Sequence, residues 1–193
     1  MSAVRDEKNT KAQELQVVTL AGGCFWCIEA VFNELEGVVK AESGYSGGQV
    51  SDPTYEDVCS GETGHAEVVQ ITFDPSVISL QEILEVFFSV HDPTTLNRQG
   101  ADVGEQYRSA IFYRNEEQRR IAEEVMRSVS ASKAYGKAPL VTQLVSFKAF
   151  YKAEDYHQEY YANNSGQPYC QIVISPKLNK FRKHFQEKMK SPA

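Results

Sequence analysis

The run Gly22-Gly23-Cys24-Phe25-Trp26-Cys27 constrains this chain more than any other stretch. It closes the apolar segment Val17-Val18-Thr19-Leu20, which reads as a buried strand. It also opens a segment over residues 24–36 whose Ile28, Val31, Phe32 and Leu35 share one face of an amphipathic helix. A thiol in the first turn of a helix meets unpaired backbone N–H groups and the positive end of the macrodipole, so its thiolate is favoured. Two aromatic side chains beside that sulfur would wall whatever it attacks. A lone cysteine at a strand end is ordinarily a small buried hydrophobe. The flanking glycines, the helix start and the second thiol turn the reading of Cys24 toward a nucleophilic or redox residue with its own pocket.

Strands alternate with helices along the rest of the chain, and nothing repeats. Further strands are expected over 38–43, 65–73, 109–113 and 140–147. Ser79-Leu80-Gln81-Glu82 is a capping-box pattern before a helix to Val90, and residues 116–132 form a charged amphipathic helix. After Ala153 come a short helix, a break over 166–168 and a last helix over 177–188. Residues 49–64 and 91–107 read as two long polar loops, which in a compact domain are usually functional. Because they flank the strand carrying Glu67, the site is expected there.

The 193 residues suffice for one domain with a full core, expected over 15–193 behind a poorly ordered lead of 14 residues. A formal charge of −6 argues against a nucleic-acid partner, and the late basic cluster around Arg182 and Lys183 reads as the solvated face of a helix. No apolar run approaches the roughly 18 residues of a membrane span. The lead holds no apolar signal region, so a cytoplasmic, reducing setting is expected. There, the four cysteines are catalytic or metal-binding candidates rather than a disulfide framework.

Cys24 and Cys27 stand at i and i+3, with Cα atoms roughly 5 Å apart if helical, inside the window for a disulfide. Alone, the pair fits thioredoxin-like exchange or half a zinc site, for which Cys59 and His65 are the nearby offers. Glu67 lies in a β-branched strand, where a carboxylate ordinarily faces solvent. If it points at Cys24 instead, aromatic desolvation would raise its pKa and keep a proton ready to donate. Tyr55 and Tyr107, in the two loops, could each donate a hydrogen bond to a developing oxyanion, and Asp102 could orient groups beside them.

Together these motifs resemble the A-type peptide methionine sulfoxide reductases. The match runs through Gly22-Gly23-Cys24-Phe25-Trp26, Gly44-Tyr45-Ser46-Gly47-Gly48, Pro53-Thr54-Tyr55 and Gly64-His65-Ala66-Glu67. It continues through His91-Asp92-Pro93-Thr94, the stretch from Gln99 to Ser109, and Ala153-Glu154-Asp155-Tyr156-His157-Gln158, in the family's order. The resemblance implies an α/β (α+β) fold: a ferredoxin-like core with a central mixed β-sheet, flanking helices and long coil segments.

The resemblance further implies that Cys24 attacks the sulfur of methionine sulfoxide while Glu67 donates a proton. Tyr55 and Tyr107 would hold the oxygen, Asp102 would serve the polar rim, and Phe25 and Trp26 would pack on the substrate methyl, selecting the S epimer. The Cys24 sulfenic acid would condense with a second thiol, and thioredoxin would reduce the disulfide. No metal or other cofactor is expected on the chain. Oxidised proteins and free methionine sulfoxide are the expected substrates, and a monomer is expected. Many members carry glycine at position 27 and two cysteines near the C-terminus, where this chain has only Cys170, so Cys170 and Cys27 are both resolving candidates. Cys59 reads as a buried structural thiol. The alternative is a general thiol–disulfide oxidoreductase of C-x-x-C type.

Overall fold

A strand with apolar residues on both faces needs cover on both sides. In β3 (Ala66–Phe73), Val69, Ile71 and Phe73 join the main core, while Ala66 and Val68 join a second cluster on the opposite face. The computed structural model describes residues 14–191; the expected lead, apart from Glu14, lies outside them.

Around β3 the chain order is β1 (Gln16–Gly22), α1 (Phe25–Asn33), β2 (Val38–Ser46), α2 (Tyr55–Ser60), β3 and α3 (Leu80–Val90). A small hairpin, β4 (Arg98–Gln99) and β5 (Asp102–Val103), precedes β6 (Ser109–Tyr113), α4 (Glu116–Ser132), β7 (Gln143–Ser146) and β8 (Tyr151–Lys152). The chain ends in α5 (Tyr160–Asn164) and α6 (Ser175–His184). The main sheet runs β7-β6-β1-β3-β2-β8 and is antiparallel except for the parallel β6–β7 pair. Its centre has the order of a ferredoxin-like core: β1 and β2, linked by α1, flank β3, and α3 leads from β3 toward β6. The mixed α/β fold expected from the sequence is the fold observed.

One face of the sheet buries Phe25, Ile28, Val31 and Phe32 of α1 with Ile83, Val86 and Phe87 of α3. Each such side chain contributes roughly 1.5–3 kcal/mol by leaving water. On the other face Phe112 packs with Phe147 and Phe150. Gly44 of β2 is demanded by that packing, because a Cβ there would lie 2.3 Å from the Phe150 ring and 2.5 Å from the Tyr151 carbonyl oxygen.

Several expectations are corrected. The first polar loop holds α2, whose N-cap Thr54 and third residue Asp57 exchange the hydrogen bonds of a capping box. The second holds the β4–β5 hairpin and a 3₁₀ turn, Glu105–Tyr107. Helix α1 starts after Cys24 and ends at Asn33, three residues early, because Leu35 bridges to Met189 and Gly37 turns at φ +85°. The last helix begins before residue 177: a π-helical turn, Cys170–Ile174, runs into α6. Among the described residues no helix is long and apolar enough to cross a membrane.

Candidate active site

Cys24 stands between β1 and α1 as the N-cap residue of the helix, at φ −54° and ψ 121°. Gly23 reaches this position at φ +91°, and a Cβ there would lie 2.6 Å from Cγ of Gln99. Gln99 itself is fixed, its Oε1 accepting the Asp92 N–H at 2.9 Å. No side chain of Cys24 caps the helix. Instead Glu67 Oε2 accepts the Phe25 N–H at 3.0 Å, so the carboxyl satisfies one of the orphan donors at the helix start.

That bond brings Glu67 beside Cys24. Glu67 shares the β3 face of Val69 and Ile71, which the core covers, and is 2% exposed. The ordinary solvent-facing role of a strand glutamate is closed to it. Burial first, and then the neighbouring Cys24 and Asp102, push its pKa well above the carboxylate range, with the Phe25 N–H pulling back. The raised pKa favours the protonated acid.

The thiol differs from expectation. Burial pushes Cys24 well above the ordinary thiol value, and Cys27 adds to the rise; hydrogen bonds from Tyr169 and the Trp26 backbone only partly oppose it. The helix start does not outweigh desolvation here. Cys27 is held below its ordinary value, chiefly by the hydrogen bond with Cys24 and further by the charge of Lys177. All four cysteines are free thiols, and Cys24, Cys27 and Cys170 form one buried cluster with Ile174. Cys170 therefore sits against the Cys24 pair on a helical turn, not on an irregular tail. Cys59 is exposed, because it lies on the outer side of the short α2.

Tyr55, the first residue of α2, and Tyr107, at the end of the 3₁₀ turn, are half-buried. Burial raises the pKa of both, and Glu67 and each other's surroundings add to it, so both hydroxyls keep their protons. Tyr55 is anchored by its N–H, which donates to Glu154 Oε1 at 2.8 Å. Asp102 enters from β5, where Oδ2 accepts the Tyr169 hydroxyl at 2.8 Å. Phe25 is buried, while Trp26 is part-exposed and stacks on Tyr160 with ring centroids 3.7 Å apart and planes 9° apart. Trp26 Nε1–H donates to His157 Nδ1 at 3.1 Å, which requires a neutral imidazole; burial lowers the pKa of His157 accordingly. The sequence-predicted residues Cys24, Glu67, Tyr55, Tyr107, Asp102, Phe25, Trp26, Cys27 and Cys170 thus converge.

Tyr169 and Tyr160 carry no role in the sequence reading, where His157 enters only as part of a family motif. Tyr169 directly precedes Cys170, and Tyr160 and His157 lie in or beside the Glu154–Gln158 motif, so position alone could have flagged them. A cavity of about 620 Å³ lies beyond Asp102 and Tyr169, lined also by His91, Gln99, Val173 and Lys177. Among the described residues no group of three or more His, Cys, Asp or Glu could hold a metal ion.

Residues 16–189 match the family model for peptide methionine sulfoxide reductase. The chain belongs to that family. It is 61% identical over 176 residues to the peptide methionine sulfoxide reductase MsrA of Saccharolobus solfataricus, covering 91% of this chain and 98% of that one. Among solved structures it resembles reduced Mxr1 from Saccharomyces cerevisiae, with a TM-score of 0.74 and 34% identity over 81% of this chain and 90% of that one. It also resembles Mxr1 in complex with Trx2, with a TM-score of 0.52 and 26% identity over 76% and 85% of the two chains. Membership decides between the chemistries a C-x-x-C pair leaves open, in favour of methionine sulfoxide reduction.

Proposed function

We propose that the protein reduces the S epimer of methionine sulfoxide, in oxidised proteins and as the free amino acid, through Cys24. The observation that carries this reading is the buried Glu67 bonded to the Phe25 N–H at the mouth of the helix that begins at Cys24. Glu67 donates its proton to the sulfoxide oxygen as the Cys24 sulfur, giving up its own, bonds to the substrate sulfur. The thiol proton in the end replaces the one Glu67 gave. One thiol and one sulfoxide become one sulfenic acid on Cys24 and one thioether, so sulfur is reduced in the substrate and oxidised in the enzyme.

Tyr55 and Tyr107 hold the oxygen by donating hydrogen bonds, as their raised pKa values require. Asp102 serves the polar rim. Phe25 and Trp26 take the methyl group, a contact an oxygen would not tolerate, and this asymmetry selects one epimer. The sulfenic acid then condenses with a second thiol, releasing water. Cys27, one helical turn on, and Cys170, from the C-terminal segment, share the buried cluster of Cys24 and are the two candidate attackers. A dithiol of the thioredoxin class returns both sulfurs to thiols, a reading supported by the likeness to Mxr1 solved with Trx2. We assign the protein to protein repair in the cytoplasm, acting as a monomer and without a resident cofactor.

The test is incubation with the separated sulfoxide epimers, free and peptide-bound, with dithiothreitol or with thioredoxin. Methionine from the S epimer alone supports the reading. Equal turnover of both epimers removes the role given to Phe25 and Trp26.

A further inference from the structure

Tyr55 and Glu67 act on one oxygen in the reading above, yet they come from different elements, α2 and β3. Helix α2 is six residues long and buries the side chain of Val58 alone. So short a helix is not stable by itself, and its first residue needs an outside anchor. Its capping box engages Thr54 and Asp57 and leaves the Tyr55 N–H to another partner.

That partner comes from the segment after β8, which Gln158 clamps to β2. Gln158 Oε1 accepts the Ser43 N–H at 3.1 Å, and Nε2 donates to the carbonyls of Ser43 and Ala153, each at 2.9 Å. The Ala153 N–H in turn donates to the Ser43 carbonyl at 3.0 Å. Glu154 stands inside this clamp, and its two carboxyl oxygens take different donors. Oε1 accepts the Tyr55 N–H and Oε2 the Tyr45 hydroxyl, both at 2.8 Å. His157 Nε2 lies 3.9 Å from Oε2, beyond hydrogen-bond reach. Partial burial works against the charge of Glu154. The N–H groups of Glu154 itself and of Tyr55, the Tyr45 hydroxyl and His157 outweigh it and hold the carboxyl below its ordinary pKa. Tyr45 is fully buried and pairs with Glu67 across β2 and β3, which sets the two side chains on one face. A chain of contacts therefore runs from the strand partner of the acid, through one carboxylate, to the backbone of Tyr55.

We infer that Glu154 is a positioning residue for sulfoxide reduction, accepting the Tyr45 hydroxyl with one carboxyl oxygen and the Tyr55 N–H with the other, and so fixing Tyr55 relative to Glu67. A short helix on a polar stretch is thereby tied to the strands that carry the acid. Glu154 acts through Tyr55 and not on the reacting atoms. The inference rests on Tyr55 holding the sulfoxide oxygen, as proposed above.

Glu154→Ala is expected to slow single-turnover methionine release about fivefold at saturating sulfoxide, with the half-saturating concentration within about twofold of the parent. In a Tyr55→Phe background, where no hydroxyl is left to place, the same substitution should cost less than about twofold. Exchange of the Tyr55 amide hydrogen, which the carboxylate protects, should quicken in Glu154→Ala. If Glu154→Ala does not fold, Glu154→Gln, whose single amide oxygen replaces two acceptors, takes its place under the same criteria. A full loss in both backgrounds, or a loss confined to the half-saturating concentration, overturns the inference. So does a parental rate in Glu154→Ala beside a slowed Tyr55→Phe, which leaves the role of Tyr55 intact. A parental rate in Tyr55→Phe removes that role itself, and the inference with it.

Discussion

The two sources of thiols in this site are built differently. Cys24 and Cys27 belong to the ferredoxin-like core, where β1 lies within the sheet and α1 packs on the sheet face that α3 also covers. Cys170 belongs to the C-terminal segment, joined to the site by side-chain contacts: Trp26 on Tyr160 and Tyr169 to Asp102. Farther along, Leu178 and Phe181 reach the core, and Arg182 pairs with Glu34. Cys24 and Glu67 are held by backbone geometry, whereas the second region is held by side chains, Leu178 and Phe181 in the main core and Cys170 and Ile174 against Cys24 and Cys27. Sulfoxide reduction needs atoms fixed to within a fraction of an ångström.

The sharpest test of this division is Cys24→Ser. Reduction should vanish even with dithiothreitol, because Cys24 is the thiol at the helix mouth that Glu67 closes; methionine release by that variant would break the comparison at its core side. Glu67→Gln keeps the shape and loses the proton, so single-turnover methionine release should fall by about 10²–10⁴. The pH profile supplies the sign. Glu67 donates only when protonated, so activity should fall as pH rises through its elevated pKa, while Cys24 attack should grow as pH rises toward its own elevated value. The falling limb should disappear in Glu67→Gln.

Changes at the two resolving candidates, one in each region, should leave the first step alone. In Cys170→Ser and in Cys27→Ser, methionine release with dithiothreitol should stay within about threefold of the parent. Thioredoxin-supported turnover should drop by about tenfold or more in whichever variant lacks the resolving thiol. Thiol counting after one substrate equivalent separates the two. Loss of two thiols in Cys170→Ser with full thioredoxin-supported turnover assigns Cys27, and the same result in Cys27→Ser assigns Cys170. The smallest effect is expected from the oxygen-holding pair. Tyr55→Phe and Tyr107→Phe should each cost about tenfold in kcat/KM, about 1.4 kcal/mol, since either hydroxyl partly covers for the other. Equal, full losses in both would mean that the two do not share one oxygen.

Much of the scaffold was legible because its signals are short-range. The Ser79 capping box, the strand Ser109–Tyr113 and the helix Glu116–Ser132 stand where propensity and period put them. Helix α2 escaped notice because it is a single short helix in a polar stretch and its capping partner is Asp57, shorter than the usual Glu or Gln. The segment before α6 escaped because Gly166 and Pro168 read as a break. A proline is tolerated in a first helical turn, and the chain is helical from residue 168. Cys59 was read as buried because its loop was not recognised as a helix with an outer side.

By itself the sequence determined the strand–helix order, the position of Cys24 at a helix start, and the family to which that order of motifs belongs. These depend on neighbours a few residues apart, whose backbone preferences act whatever the rest of the chain does. The tertiary structure alone decided that Glu67, 42 residues from Phe25, closes the helix mouth, that Tyr55 and Tyr107 share its surroundings, and that Cys170 packs on Cys24. It also decided the direction in which the thiol's pKa moves. A helix terminus favours a thiolate by a charge effect that falls off within one turn, whereas burial beneath distant segments removes the water that would solvate it, and burial raises the pKa of Cys24.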